Sequence, residues 1–176
     1  MPQIFPGRFA AKVEGPFVVF LIGMRVNRFF AFRQWMQVAA AMPPMIKELM
    51  QHPELGLLHI ESALYWRGVL TIQYWRSFDQ LHAYAHARNS THLPAWARFN
   101  RTIGNNGAVG IWHETYIVQP DSFECVYVNM PRFGLGKAAS HEPAIGRMSS
   151  SRTRMGMADD PTAETPAPAP QPSANT

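Results

Sequence analysis

The order of strand-like and helix-like segments is the feature that most restricts how this chain can fold. Residues 17–27 are mostly β-branched or aromatic and apolar on both faces, which predicts a strand in the centre of a sheet. Residues 29–51 carry apolar side chains at helical spacing, and Pro43–Pro44 predicts a break in that helix near Met42. A strand at residues 57–66 completes a strand–helix–strand segment.

A second strand–helix–strand segment follows after a tight turn predicted at Arg67–Gly68. Residues 69–76 alternate as a strand, Ser77 is a good N-cap for the helix that follows, and residues 111–118 form the last strand. Two such segments in succession are typical of the ferredoxin-like βαββαβ arrangement. The predicted fold class is therefore α+β.

The two ends of the chain differ in composition from this core. Residues 1–14 are interrupted by Pro2, Pro6 and Gly7, and they predict an N-terminal arm. Alanine, serine, threonine and proline dominate residues 137–176, which predicts a disordered tail. The folded domain is accordingly predicted to span residues 15–136.

Charge and cysteine content argue against several classes of protein. The net charge is only +4 and no basic stripe is present, so we expect no nucleic-acid partner. A single cysteine, Cys125, rules out an internal disulfide and favours a reducing compartment, so we expect a cytoplasmic location. The apolar run at residues 17–24 is shorter than the roughly 20 residues needed to span a membrane.

The strand at residues 111–118 carries an unusual amount of polar chemistry. Alternation places His113 on one face, with Trp112 and Tyr116 on the other. An imidazole near its ordinary pKa of about 6.5 can act as a general base. The alternative is a structural histidine bonded to Glu61 or to a backbone carbonyl, and the sequence leaves both interpretations open.

Four stretches of the chain resemble one known family: residues 69–78, 92–96, 111–116 and 127–131. They are similar to the monooxygenase-like family once catalogued as the domain of unknown function DUF4188, which includes the antibiotic-biosynthesis-type monooxygenase of the fumagillin pathway. The resemblance covers about residues 15–136. It implies a dimeric α+β barrel, in which two ferredoxin-like sheets pack face to face and each has a pocket beneath its own helices. It also implies a monooxygenase-like activity on an apolar, polyketide or aromatic, small molecule.

Catalytic roles are predicted for His113 as the base, for His92 and for Arg25. Arg25 lies at the end of a central strand, where it could line the pocket mouth or cap the next helix. His92 could instead be the axial ligand of a haem. Substrate-binding roles are predicted for a mostly aromatic set, namely Asn27, Trp35, Met36, Trp75, Trp96, Trp112 and Tyr116.

The expected partners are a second copy of the chain and an apolar substrate. No glycine-rich phosphate loop follows a strand, so we expect neither flavin nor nicotinamide. His82 and His86 lie four residues apart on a predicted helix, but no carboxylate motif joins them, so we expect no metal site. A haem-dependent enzyme of the same superfold and a non-catalytic binding or dimerisation module remain as alternatives.

Overall fold

A computed structural model describes residues 2–87, 92–102 and 104–158 of the chain. The chain divides into two compact units. The central unit is Pro16–Val118, and the flanking unit combines the two segments on either side of it. Strands and helices are numbered along the whole chain, so that β1 belongs to the flanking unit.

The central unit has the element order predicted from the sequence. Its strands are β2 (Phe17–Val26), β3 (Leu57–Tyr65), β4 (Gly68–Trp75) and β5 (Val109–Val118), and its helices are α1 (Phe32–Ala39), α2 (Met42–Gln51), α3 (Phe78–His86) and α4 (His92–Thr102). The sheet order is β3-β4-β2-β5, and every neighbouring pair is antiparallel. This arrangement confirms the ferredoxin-like α+β fold.

Local sequence signals account for the helix boundaries. The prolines Pro43 and Pro44 lie in the first turn of α2, where the missing N–H is tolerated, and α1 ends before them at Ala39. Ser77 caps α3, because its Oγ accepts a hydrogen bond from the backbone N–H of Gln80 at 3.2 Å.

The two faces of the sheet are distinguished by their packing. Val18 and Trp75 are paired across β2 and β4, and both belong to the buried cluster that holds Leu49, Leu81 and Tyr84 of the helices. Residues whose side chains lie on the same side of the sheet as Val18 therefore face the helices, and we call this side the helix face. The other side is the open face.

A register shift in β3 changes which of its residues share a face with those of β4. Uninterrupted strand alternation would place His59, Glu61 and Tyr65 on the same side as Leu57, which is paired with Trp75. The pairing of β3 with β4 is irregular between Leu57 and His59, and Glu61 then lies opposite Ile72 while Ser62 lies opposite Thr71. The extra residue moves His59, Glu61 and Tyr65 to the open face.

The flanking unit has a small sheet of its own. Its strands are β1 (Phe5–Ala10), β6 (Tyr127–Met130) and β7 (Glu142–Pro143), in the order β6-β1-β7. The short helices α5 (Leu135–Ala138) and α6 (Ser151–Arg154) follow β6 and β7 respectively. β1 pairs with strands that are more than a hundred residues away in the chain. The folded domain at residues 15–136 stays a prediction. Residues 159–176 of the predicted tail lie outside the described ranges.

Two side-chain groups hold the flanking unit together. The ring of His141 stacks on Phe9 at 4.6 Å between ring centres, and both of its nitrogens are buried with no hydrogen-bond partner in the described residues. This burial, with the nearby charge of Arg132, lowers the pKa of His141 below its ordinary value. Arg154 pairs with Glu124, and its Nη1 donates to the carbonyl of Met148 at 2.7 Å.

The described helices are all short. The longest, α4, has 11 residues. In the ranges that the structure describes, no helix combines the length and the apolar character needed to cross a membrane.

Candidate functional site

A large apolar cavity lies between the helix face of the sheet and helices α1 to α4 of the central unit. Its volume is about 930 Å³, which is within the range of small-molecule sites. The floor is built by residues of the four strands, which are Phe20, Ile22, Met24, Ser62, Val69, Thr71, Ile111, His113 and Thr115. Most of the helical residues around it are apolar, and they include Met42, Met45, Ile46, Leu81, Leu93, Trp96 and Phe99.

Three polar side chains of the floor lie in one row across the sheet. Ser62 is paired with Thr71, Thr71 with Ile22, and Ile22 with His113. Neighbouring strands are about 4.8 Å apart, so the Thr71 and His113 positions are separated by roughly 10 Å. The floor therefore offers hydrogen-bonding groups at separated points beneath an otherwise apolar volume.

Thr71 is held in place by a buried chain of hydrogen bonds. The indole N–H of Trp75 donates to Gln73 Oε1 at 2.9 Å, and Gln73 Nε2 donates to Thr71 Oγ1 at 3.3 Å. The Thr71 hydroxyl in turn donates to the carbonyl of Ile22 at 3.4 Å. These partners leave the side chain of Thr71 with a defined orientation at the cavity floor.

His113 differs from Thr71 because no described residue forms a hydrogen bond with its ring. Its side chain is exposed at the cavity, and the ring of Phe20 lies 5.6 Å away between centres. Glu61, the carboxylate considered as its partner, is bonded on the open face to His59 at 2.7 Å. Within the described part of the chain, the imidazole is therefore available to a ligand.

His82 and His86 of α3 also line the cavity. Their rings stack at 4.1 Å between centres, and His86 Nδ1 lies 2.8 Å from the backbone carbonyl of His82. Among the described residues, no group of three or more His, Cys, Asp or Glu side chains is placed to hold a metal ion. The two histidines thus add polar groups to one wall of an apolar chamber.

The structure brings two of the predicted site residues into this cavity. His113 lies on the floor, and Trp96 of α4 lines the wall, where its ring stacks on Phe99 at 5.4 Å between centres. His92 is the first residue of α4, but its side chain lies outside what the structure describes.

The other predicted residues of the helix side lie outside the cavity lining. Trp75 is fully buried beneath the helices, where it is a core residue that packs against Tyr84. Trp35 donates its indole N–H to the carbonyl of Phe29 at 3.1 Å, and Met36 is exposed on α1. The aromatic rings of Trp35 and Trp75 and the flexible side chain of Met36 suggested a ligand surface, but none of the three lines the chamber.

The remaining predicted residues lie at the end of β2 or on the open face. Arg25 is bonded to Asn27 at the end of the strand, and its guanidinium lies over the ring of Trp66. Trp112 packs across Gly23, and Tyr116 donates its hydroxyl proton to Glu114 at 2.6 Å. That bond and the charge of Glu114 raise the pKa of Tyr116. Trp112 and Tyr116 are thus on the side opposite the cavity, because strand alternation separates them from His113.

Several cavity residues were not singled out from the sequence. Ser62, Thr71 and Thr115 are ordinary strand residues, and their chemistry shows only when the strands are aligned. One signal was present, since Met42 and Met45 belong to a methionine-rich helical stripe of the kind that adapts to irregular apolar ligands.

The topology and the cavity together define a class: a ferredoxin-like α+β protein with an apolar cavity between sheet and helices. The model of the monooxygenase af470-like family matches residues 17–135, which is most of the chain. The chain belongs to that family.

A curated relative is monooxygenase af470 of Aspergillus fumigatus. It is 28% identical over 160 residues, which cover 78% of this chain and 56% of that protein. The chain therefore spans little more than half the length of the curated relative that it matches.

Two solved structures are similar to part of this chain. A dimeric protein of unknown function with a ferredoxin-like fold from Bacteroides fragilis is 13% identical, with a TM-score of 0.43, over 58% of this chain and 96% of its own. SnoaB, a cofactor-independent oxygenase from Streptomyces nogalater, is 13% identical, with a TM-score of 0.40, over 58% of this chain and 93% of its own.

Proposed function

We propose that this chain is a monooxygenase that acts on an apolar, polyketide or aromatic, small molecule in the cavity between sheet and helices. The observation that carries the proposal is His113, an imidazole without a partner among the described residues, on the floor of a chamber of about 930 Å³. Membership of the monooxygenase af470-like family supports the reaction class.

The proposed chemistry needs no flavin, nicotinamide or haem, because the substrate supplies the electrons. His113 removes a proton from an acidic carbon of the substrate and leaves an electron-rich carbanion. The carbanion gives electrons to dioxygen, and a carbon–oxygen bond forms to give a peroxide. The imidazolium returns its proton to the peroxide, and loss of water leaves a carbonyl group. One oxygen atom thus enters the product and the other leaves as water.

The apolar walls would favour this sequence of steps. The side chains of Met42, Leu81 and Phe99 carry no N–H or O–H group that could protonate or solvate a bound carbanion. A carbanion in such surroundings reacts with dioxygen before water can reprotonate it. The hydroxyl groups of Ser62 and Thr71 can orient polar substituents of the substrate in the row that contains His113.

Oxygen uptake with anthrone as the probe tests the proposal. Anthrone has an acidic methylene group, and one molecule of it with one of dioxygen gives anthraquinone and one of water. We expect His113→Gln to lower kcat by about 10²- to 10³-fold, the range typical for loss of a general base. His52→Gln is the matched control, because His52 is an exposed histidine bonded to Glu54 outside the cavity. Equal rates for His113→Gln and wild type would contradict the role of His113.

Two further readouts separate the competing functions. Quenching of tryptophan fluorescence by anthrone with no oxygen uptake would favour a non-catalytic binding module, since Trp96 reports on the cavity. A Soret band that forms when haem is added and is lost in His92→Ala would favour the haem-dependent enzyme. The cytoplasmic location stays a prediction.

We also infer that the open face of the sheet packs against a second copy of the chain. Its central positions are apolar, including Leu21, Ile72 and Trp112, and Tyr65 and Tyr116 are half exposed there. Burial of such a face is the arrangement that the family resemblance implies. Sedimentation velocity should show a dimer for the wild type and a monomer for Ile72→Glu, whereas a wild-type monomer at all concentrations would contradict the inference.

A further inference from the structure

One end of the central unit exposes large apolar side chains where its loops meet. The Trp66–Arg67 turn between β3 and β4 and the segment after β2 form this end, and the backbone N–H of Val26 donates to the carbonyl of Arg67 at 2.9 Å. Five apolar side chains here are more than half exposed, which are Phe29, Phe30, Phe32, Leu64 and Trp66. With the arginines described next, we call these residues the basic aromatic end.

Four arginines accompany these apolar side chains. The guanidinium of Arg67 lies 4.4 Å from the ring centre of Phe29, and that of Arg25 lies 4.2 Å from the ring centre of Trp66. Arg28 and Arg33 are exposed. No Asp or Glu occurs at residues 15–47, 62–78 or 80–113, so these segments contain no carboxylate that would offset the charge.

The backbone directs the large side chain of Trp66 outward at the tip of the turn between β3 and β4. Trp66 has a φ of +53°, in the left-handed region that bulky residues seldom adopt. Its side chain is 76% exposed, so packing within the chain does not account for a tryptophan there. An exposed tryptophan beside arginines is typical of side chains that sit at a membrane–water interface.

Helix α1 also exposes apolar and basic side chains. Phe32 and Met36 lie one turn apart and are both exposed, and Arg33 is exposed beside them. In the described structure, α1 has no fully buried residue. A short helix with aromatic and methionine side chains on one side and arginine on another is suited to lie in the plane of a membrane surface.

The floor of the cavity extends to this end. Leu64 is paired with Val69, and the same row of the sheet continues through Met24 to Ile111. Val69, Met24 and Ile111 line the cavity. An apolar molecule at the basic aromatic end would therefore be next to the floor on which His113 lies.

We propose that the basic aromatic end docks on a membrane surface that contains anionic phospholipid. Phe29, Phe30, Phe32, Leu64 and Trp66 enter the headgroup region, and the arginines bind lipid phosphates. Two features of the basic aromatic end favour a lipid surface over a protein partner: its uncompensated positive charge and its position next to the cavity floor. The further step, that an apolar substrate passes from the bilayer into the cavity, rests on the proposed function, whereas docking itself does not.

Co-sedimentation of the full chain with vesicles tests the docking. The probes are phosphatidylcholine vesicles and vesicles of phosphatidylcholine with about a quarter phosphatidylglycerol. We expect binding to the anionic vesicles only, with a several-fold loss when salt is raised from about 0.1 to 0.5 M. Phe30→Ser, and separately the pair Arg28→Glu and Arg33→Glu, should each weaken partitioning at least tenfold.

The control is Met50→Ser, which removes an exposed apolar side chain from α2, and this variant should bind as the wild type does. Since the changed residues are exposed, thermal unfolding of all variants should be unaltered. Absence of wild-type binding to anionic vesicles, or equal binding by the variants, would overturn the proposal. Self-association that Phe30→Ser abolishes, without vesicle binding, would also overturn it and identify a protein interface. Docking with no oxygenase activity would leave it standing while the proposed function fails.

Discussion

Polar side chains on the open face of the four-stranded sheet are paired along a strand, whereas on the helix face the Trp75–Gln73–Thr71 chain is paired and His113 is not. On the open face, His59 lies 2.7 Å from the Glu61 carboxylate, and the hydroxyl of Tyr116 lies 2.6 Å from that of Glu114. Both pairs join residues two apart on one strand. On the helix face, His113 forms no hydrogen bond with any described residue, although it occupies the same strand as Tyr116.

This difference shows how one sheet can serve two purposes. Polar groups that satisfy each other along a strand can approach an apolar surface at little cost, as a packing face requires. A histidine left without such a neighbour keeps its donor and its acceptor for a bound molecule. The open face is thus suited to packing and the helix face to binding.

The largest expected effect separates two tryptophans on opposite faces. Trp75→Ala should lower the free energy of unfolding by about 3–5 kcal/mol, because it empties a fully buried site and leaves Gln73 without its indole partner. Trp112→Ala on the open face should cost clearly less, about 1–2 kcal/mol, since Trp112 is only partly buried in the chain. Urea denaturation of both variants, each combined with Ile72→Glu so that the chain is monomeric, measures the difference. Equal losses would show that Trp112 is as important to the fold of the single chain as Trp75.

A smaller effect concerns two glycines of the open face. A Cβ at Gly23 would lie 2.7 Å from the indole nitrogen of Trp112, whereas one at Gly110 would be no closer than 3.6 Å to any neighbour. Gly23→Ala should therefore destabilise the chain by about 1–3 kcal/mol through overpacking, and Gly110→Ala should be close to neutral. Thermal unfolding of the two variants checks this, and similar melting temperatures would show that Trp112 is not packed across Gly23.

The smallest effect is on the titration of Tyr116. The hydrogen bond to Glu114, and then the carboxylate charge, raise the pKa of the phenol, because both favour its protonated form. Glu114→Gln should move this ionisation to lower pH with no measurable change in stability at neutral pH. Absorbance at about 295 nm, with Tyr116→Phe subtracted as the reference, follows the phenolate. An unchanged curve would mean that the pair does not form in solution.

Much of the fold of the central unit was predictable from the sequence. The strands and helices lie within a few residues of the predicted ranges, and the Ser77 cap and the break before α2 are as expected. The hairpin turn was predicted one residue late, because Trp66 adopts a backbone conformation that favours glycine. The family resemblance agrees with the match to residues 17–135.

The lining of the site was only partly predictable. Aromatic content suggested Trp35, Trp75 and Trp112, yet these residues lie outside the cavity lining, and the hydroxyls of Ser62 and Thr71 are part of it. The type of a side chain indicates that it can contact an apolar molecule, but it does not indicate which way that side chain points in the folded protein. The irregular pairing after Leu57, which moves part of β3 to the other face, has no clear local signature.

Local sequence patterns were sufficient to predict the order of strands and helices in the central unit and the opposite orientation of His113 and Trp112. Both follow from periodicities of two and 3.6 residues, which act over a few neighbours and are visible locally. Two features are visible only in the folded chain: which face of the sheet packs against the helices, and that His113 has no partner among the described residues. The pairing of β1 with β6 and β7 is likewise visible only there. These depend on contacts and strand register between segments far apart in the chain, which no local pattern encodes.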